Sequence, residues 1–289
     1  MTTIDIIYRC ETQGSPATPR PADSAAALVR LDEGNRGFAA LLDQPPDRSG
    51  RTQRIVAVDP RDLGLASGAA QAPTQRPFAA VLGCSDARVP VELIFNEGPN
   101  DLFVVRVAGN TLGPDVLGSL KYAVDHLGDS IKLIVVLGHS GCGALTAAVD
   151  VFLRPAVYLP LVTKHSLRAV LDSLIVVVQA AARKFHDVFG PDVARRPGYR
   201  QALIEASIVS NVALAAYSIQ QELDAAGATG LQTVYGVYLL DARRVWAPPV
   251  DGKEGTGLAR PPCDETGFAE LGNLILRSDR ISSLITAGT

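Results

Sequence analysis

Two short stretches hold the residue types that do chemistry. The first is Val81-Leu82-Gly83-Cys84-Ser85-Asp86-Ala87-Arg88-Val89-Pro90, and the second is Val135-Val136-Leu137-Gly138-His139-Ser140-Gly141-Cys142-Gly143. In each, an apolar, β-branched run stops at a glycine and delivers a cysteine or histidine where a buried strand would end. Two thiolates and one imidazole are soft to borderline donors. A set of three protein ligands leaves tetrahedral zinc one open position, which is the catalytic arrangement. Because two thiolates cancel the charge of the dication, a Cys84/His139/Cys142 site should acidify water less than a three-histidine site, and a neighbouring acceptor would help. Asp86 can accept a hydrogen bond from a reactive water, and Arg88 can pair with that carboxylate and keep it ionised.

Each residue also has a bland reading. A single cysteine after a strand is usually a small core residue, and one Asp-x-Arg is usually a surface ion pair. The conjunction of both strand-end sets is what favours a metal site. Gly138-His139-Ser140-Gly141-Cys142 is one residue from the nucleophile-elbow pattern, which would make Ser140 a hydrolase nucleophile. That reading leaves Cys84, Asp86 and Arg88 without a role. His126, His165 and His186 lack metal-ligand spacing and read as surface or interface residues, and Cys10 and Cys263 read as free thiols.

Cys84-x-Asp86-x-Arg88 followed downstream by His139-x-x-Cys142 resembles the zinc signature of the β-class carbonic anhydrases. Val104-Val105-Arg106-Val107-Ala108-Gly109-Asn110 and Lys121-Tyr122-Ala123-Val124 are also similar to family segments, and a thinner likeness continues through Val234-Tyr235-Gly236-Val237-Tyr238. The resemblance implies that Cys84, His139 and Cys142 ligate Zn2+ and that Asp86 and Arg88 form the catalytic dyad. It also implies Gln75, Phe103 and Tyr122 as substrate-pocket residues. The implied activity is reversible hydration of carbon dioxide to bicarbonate by a homodimer or higher homo-oligomer, with Phe103 and Tyr122 presented to a site that the other chain completes. Ala87 and Val107 depart from common family residues without touching the ligands. Val81 stands where members that close by swinging the aspartate onto the metal carry tryptophan, so Asp86 is expected to rest against Arg88. The alternatives are hydrolysis of carbon disulfide or carbonyl sulfide on the same fold, and a noncatalytic zinc protein closed by Asp86.

Such a site needs elements that bring strand ends together. From Pro77 onward, strand-like runs (78–83, 102–107, 131–138) alternate with helical ones (91–95, 115–127, 144–149), which predicts a largely parallel sheet with ligands at its carboxyl ends. Long apolar helices are expected over 166–188 and 200–225. The first contains Leu174-Ile175-Val176-Val177-Val178, a run so apolar that a subunit interface is expected to cover it. Residues 232–240 and 245–247 read as an edge hairpin, and a short helix is expected near 268–276. The expectation is one α/β domain over 1–289: a mostly parallel central sheet flanked by helices, with an antiparallel edge hairpin. A loosely held arm (1–21), one or two short helices broken by Gly34 and Gly37 (24–42), and a loop-rich segment (43–76) with a possible strand at 55–58 precede the core.

With 289 residues, of which 47% are hydrophobic, the chain can bury a full α/β core. A net charge of −3, without runs of Lys or Arg, offers no footprint for nucleic acid or an anionic membrane, which leaves a small-molecule substrate. No stretch reaches 18 uninterrupted apolar residues and the start lacks a leader pattern, so a cytoplasmic location is the expectation. Four cysteines are too few for a disulfide framework.

Overall fold

The computed structural model describes residues 3–10, 19–65, 72–163, 165–228, 230–249 and 257–286. In chain order its elements are β1 (Thr3–Cys10), α1 (Ser24–Ala39), β2 (Arg51–Val58), β3 (Ala79–Gly83), α2 (Val91–Phe95), β4 (Leu102–Arg106), α3 (Pro114–Leu127), β5 (Leu133–His139), α4 (Gly143–Leu153) and α5 (Tyr158–Val162). After these come α6 (His165–Phe189), α7 (Tyr199–Ala225), β6 (Gln232–Leu239), β7 (Arg244–Trp246), α8 (Glu265–Arg277) and α9 (Asp279–Thr286). The central sheet has the order β4-β3-β5-β6-β7. Its first four strands are parallel, and β7 returns antiparallel beside β6.

β3 and β5 are buried at every position, so neither can have a face in water. Their alternating side chains serve two cores. Ala80, Leu82, Ile134 and Val136 pack with α3, α4, α6 and α7, whereas Ala79, Val81, Leu133 and Val135 pack with α1 and α2. α7 is long and apolar enough to cross a membrane, but its most apolar stretch is 78% buried within the chain, which makes it a core helix.

Four expectations are corrected. α1 is one helix, capped by Asp23, whose side chain accepts the Ala26 N–H at 2.8 Å. Gly34 does not break it. A Cβ there would lie 1.8 Å from the Phe95 carbonyl oxygen, so glycine is what lets α1 approach α2. The expected loose arm is in part the strand β1, paired in parallel with β2 from Thr3↔Arg51 to Cys10↔Val58; residues 11–18 lie outside the described residues. Within 43–76, β2 and a 3-10 turn at Pro60–Leu63 are regular. Finally, the apolar run of α6 is covered largely by the chain itself. Leu174 and Val178 are buried against α4 and α7, and Val176 is the member left exposed, at 65%.

Candidate metal centre

β3 and β5 run side by side with Gly83 opposite Leu137, so their carboxyl ends emerge together. Cys84 follows β3 directly, and His139 closes β5. A turn through Gly141, whose φ of +64° suits glycine, then places Cys142 as the N-cap of α4. The two sulfur atoms lie 4.0 Å apart, and the three candidate donor atoms all fall within 4.8 Å of one another. Tetrahedral zinc with Zn–S bonds of about 2.3 Å would hold two sulfurs ~3.8 Å apart. His139 Nδ1 donates to the Ser140 carbonyl at 3.1 Å, which makes Nε2 the acceptor nitrogen. Nε2 is fully buried without a hydrogen-bond partner, the condition that a cation at this point would relieve.

The thiols support the same reading. The hydrogen bond with Cys142 is the main influence that pulls the Cys84 thiol down, aided by the Gly109 and Asp86 N–H groups against the effect of burial. The same contact, together with burial, pushes Cys142 up, opposed by the Leu145 and Ala144 N–H groups at the start of α4.

Asp86 stands beside this set. Arg88 grips it through its backbone N–H (2.9 Å), Nε (2.9 Å) and Nη2 (2.7 Å), and this hydrogen bonding first of all holds the Asp86 carboxyl well below the usual carboxylate range. Its Oδ2 lies 3.7 Å from His139 Nε2.

Further residues fix the strand ends. Arg106 donates from Nε to the Cys84 carbonyl at 2.9 Å and from Nη2 to that of Asp86. Asn110 Nδ2 bridges the carbonyls of Leu82 (3.1 Å) and Leu137 (3.0 Å), tying β3 to β5. Asn211 Nδ2 donates to the Gly109 carbonyl at 2.8 Å, and Glu205 Oε1 accepts the Gly141 N–H at 3.0 Å. Sequence reasoning gave these four residues no role. The available signal was in α7, where Glu205 and Asn211 are polar residues on a helix that is otherwise mostly buried and apolar.

Within one chain, Gln75, Phe103 and Tyr122 do not join the ligand set. Gln75 is exposed in the segment before β3, at the opposite end of that strand from Cys84, and Asn100 Nδ2 holds the neighbouring Thr74 carbonyl at 2.9 Å. Phe103 pairs in register with Ala80, and its ring lies 6.4 Å from that of Tyr122, which is 48% exposed and stacks on His126. The Ser140 hydroxyl accepts the Leu240 N–H at 3.0 Å and is tied into the hairpin. Cys10 and Cys263 are free thiols, and His186 lies half-exposed on α6; the side chain of His165 lies outside the described residues.

A profile of the carbonic anhydrase family matches residues 79–239. Over 124 residues the chain is 46% identical to Carbonic anhydrase 2 of Mycobacterium tuberculosis, an alignment covering 43% of this chain and 52% of that protein. Over 129 residues it is 48% identical to a carbonic anhydrase of Mycolicibacterium smegmatis, covering 45% and 54%. The chain therefore spans about half the length of the curated relatives it matches. Among solved structures, the b-carbonic anhydrase CafA of Aspergillus fumigatus aligns with 70% of this chain and 82% of that chain, at 20% identity and a TM-score of 0.45.

Proposed function

Because the chain belongs to the β-class carbonic anhydrase family, we propose that it catalyses the reversible hydration of carbon dioxide to bicarbonate and a proton, with Zn2+ held by Cys84, His139 and Cys142. The observation that carries this reading is the convergence of those three donors at the ends of β3 and β5, with the Asp86–Arg88 pair alongside. Zinc bound there would supply a Lewis acid that lowers the pKa of water and makes a nucleophile available near neutral pH.

The protein's own residues then have defined tasks. Asp86, ionised by Arg88, accepts one hydrogen bond from the attacking water and so turns a lone pair toward the carbon of the substrate. Arg88 occupies both carboxylate oxygens of Asp86 and keeps that group from swinging onto the ligand set. The amides at the start of α4 favour the Cys142 thiolate. As the new carbon–oxygen bond forms, the water gives up one proton, which passes to buffer.

The substrate pocket belongs to the same proposal. Gln75 would donate to a substrate oxygen, and Phe103 and Tyr122 would form an apolar wall suited to a nonpolar gas, with a second copy of the chain bringing these surfaces to the metal. We place the enzyme in the cytoplasm as a homodimer or larger homo-oligomer.

The test is a stopped-flow pH-indicator assay of carbon dioxide hydration on purified protein of measured zinc content. Turnover should scale with zinc and fall at least tenfold in Asp86→Ala while the zinc is retained. Zinc-replete protein that hydrates carbon dioxide no faster than buffer would overturn the reading.

A further inference from the structure

Glu205 is a buried acidic residue that the proposed chemistry does not use. It lies on α7 at 5% exposure, among residues that are nearly all apolar. Its Oε1 accepts the Gly141 N–H at 3.0 Å and the Gln201 amide at 3.2 Å, and its Oε2 accepts Arg280 through Nη2 at 2.8 Å and Nε at 3.2 Å. Gly141 sits between His139 and Cys142, in the turn that decides whether those two donors reach one point. Arg280 comes from α9, well past residue 239, where the family match ends.

α9 is seated firmly enough to deliver that arginine. Ile281 and Ile285 are buried, and α9 passes so close to Gly198, at the start of α7, that a Cβ there would fall 1.7 Å from the Leu284 carbonyl oxygen. Stability alone is a poor reason for this ion pair, because Glu205 is buried and Arg280 partly so, and their desolvation offsets much of their attraction. A role at the turn supplies a better one. A carboxylate forms a stronger, shorter bond to a backbone N–H than a neutral acceptor does, and Arg280, by engaging Oε2, fixes the Glu205 carboxyl so that Oε1 faces the Gly141 N–H.

We propose that Glu205, held in place by Arg280, is a positioning residue for the metal centre, fixing the Ser140–Gly141 turn so that His139 and Cys142 meet the ion together, and that metal retention therefore depends on the C-terminal helix. The inference rests on the zinc reading of Cys84, His139 and Cys142.

The experiment uses the full chain with Arg280→Ala, Arg280→Lys and Glu205→Gln, and with Arg200→Ala as control. Arg200, which lies on α7 as Glu205 does, pairs at the surface with Asp150 of α4. Two quantities are read well below the unfolding temperature: the rate of zinc transfer to excess chelator, and the visible spectrum of the cobalt-substituted protein. Arg280→Ala and Glu205→Gln should release zinc about tenfold faster or more and shift the cobalt bands. Arg280→Lys should recover part of the effect, and Arg200→Ala should leave both readouts at parent values. If Arg280→Ala does not fold, the double variant Glu205→Gln/Arg280→Met removes both charges at similar volume and should show the same fast release. Parent-like release and spectra in variants that have lost thermal stability would mark the pair as a plain structural tie and overturn the inference alone. A parent protein that takes up neither zinc nor cobalt would overturn the zinc reading and the inference with it.

Discussion

In the proposed centre Cys142 would serve twice, as one of the two sulfur donors and as the residue that opens α4. Replacing it by serine keeps the volume but exchanges a soft thiolate for a hard hydroxyl. Because metal binding is coupled to folding, Cys142→Ser should lose most of its zinc and part of its thermal stability. Zinc analysis of the purified variant checks this, and full occupancy would contradict it. At this scale the convergence of Cys84, His139 and Cys142 was legible because each stands beside a local signal, an apolar run ended by glycine. Glu205 was not, because its partners lie 64 and 75 residues away, at Gly141 and Arg280. No local pattern marks a carboxylate that acts through the fold.

Among the elements, the alternation of strand and helix after Pro77 was readable because β3 and β5 are short, fully buried and bounded by glycine or turn residues. The strand β1 and its parallel pairing with β2 were not, since the two strands are joined by a long connection and only a brief apolar alternation at Ile4 and Ile6 marks the first, whereas the end of β2 was read as a possible strand at 55–58. Gly34 shows how propensity misleads. Alanine is the better helix former by about 1 kcal/mol, yet a methyl group there meets the Phe95 backbone oxygen, which cannot swing aside as a side chain can. Gly34→Ala should therefore destabilise by about 2 kcal/mol or more in denaturant unfolding, and a stabilised variant would contradict the packing of α1 on α2. Glu97, between α2 and β4, gives a pH signature. Burial is the main influence pushing its carboxyl up to about 7, with the Arg30 hydrogen bonds opposing and Asp101 adding to the rise. A carboxyl that binds its proton more tightly when folded contributes stability that is fully present below the unfolded pKa of about 4.3 and is lost as pH rises through about 7. Between those values the parent should lose stability that Glu97→Gln keeps. Parallel unfolding curves for the two proteins across that window would contradict it.

The whole molecule raises the question of what completes the substrate pocket. One chain supplies the ligands and the Asp86–Arg88 pair at the carboxyl ends of β3 and β5, while Gln75 lies at the other end of β3 and Tyr122 is open on α3. The apolar run of α6 that composition had assigned to a partner is mostly consumed by the chain's own core, because α4 and α7 cover Leu174 and Val178. A dimer is instead expected because Gln75 and Tyr122, the proposed pocket residues, stand apart from the proposed metal centre within one chain. Light scattering at micromolar concentration should give a dimer or larger, and a monomer with full hydration activity would contradict it.

If Cys84, His139 and Cys142 form one zinc centre, X-ray absorption at the zinc edge of the purified chain should show two sulfur neighbours at about 2.3 Å, with nitrogen or oxygen at about 2.0–2.1 Å completing four. A shell of nitrogen and oxygen alone, or a purified chain without zinc, would contradict it.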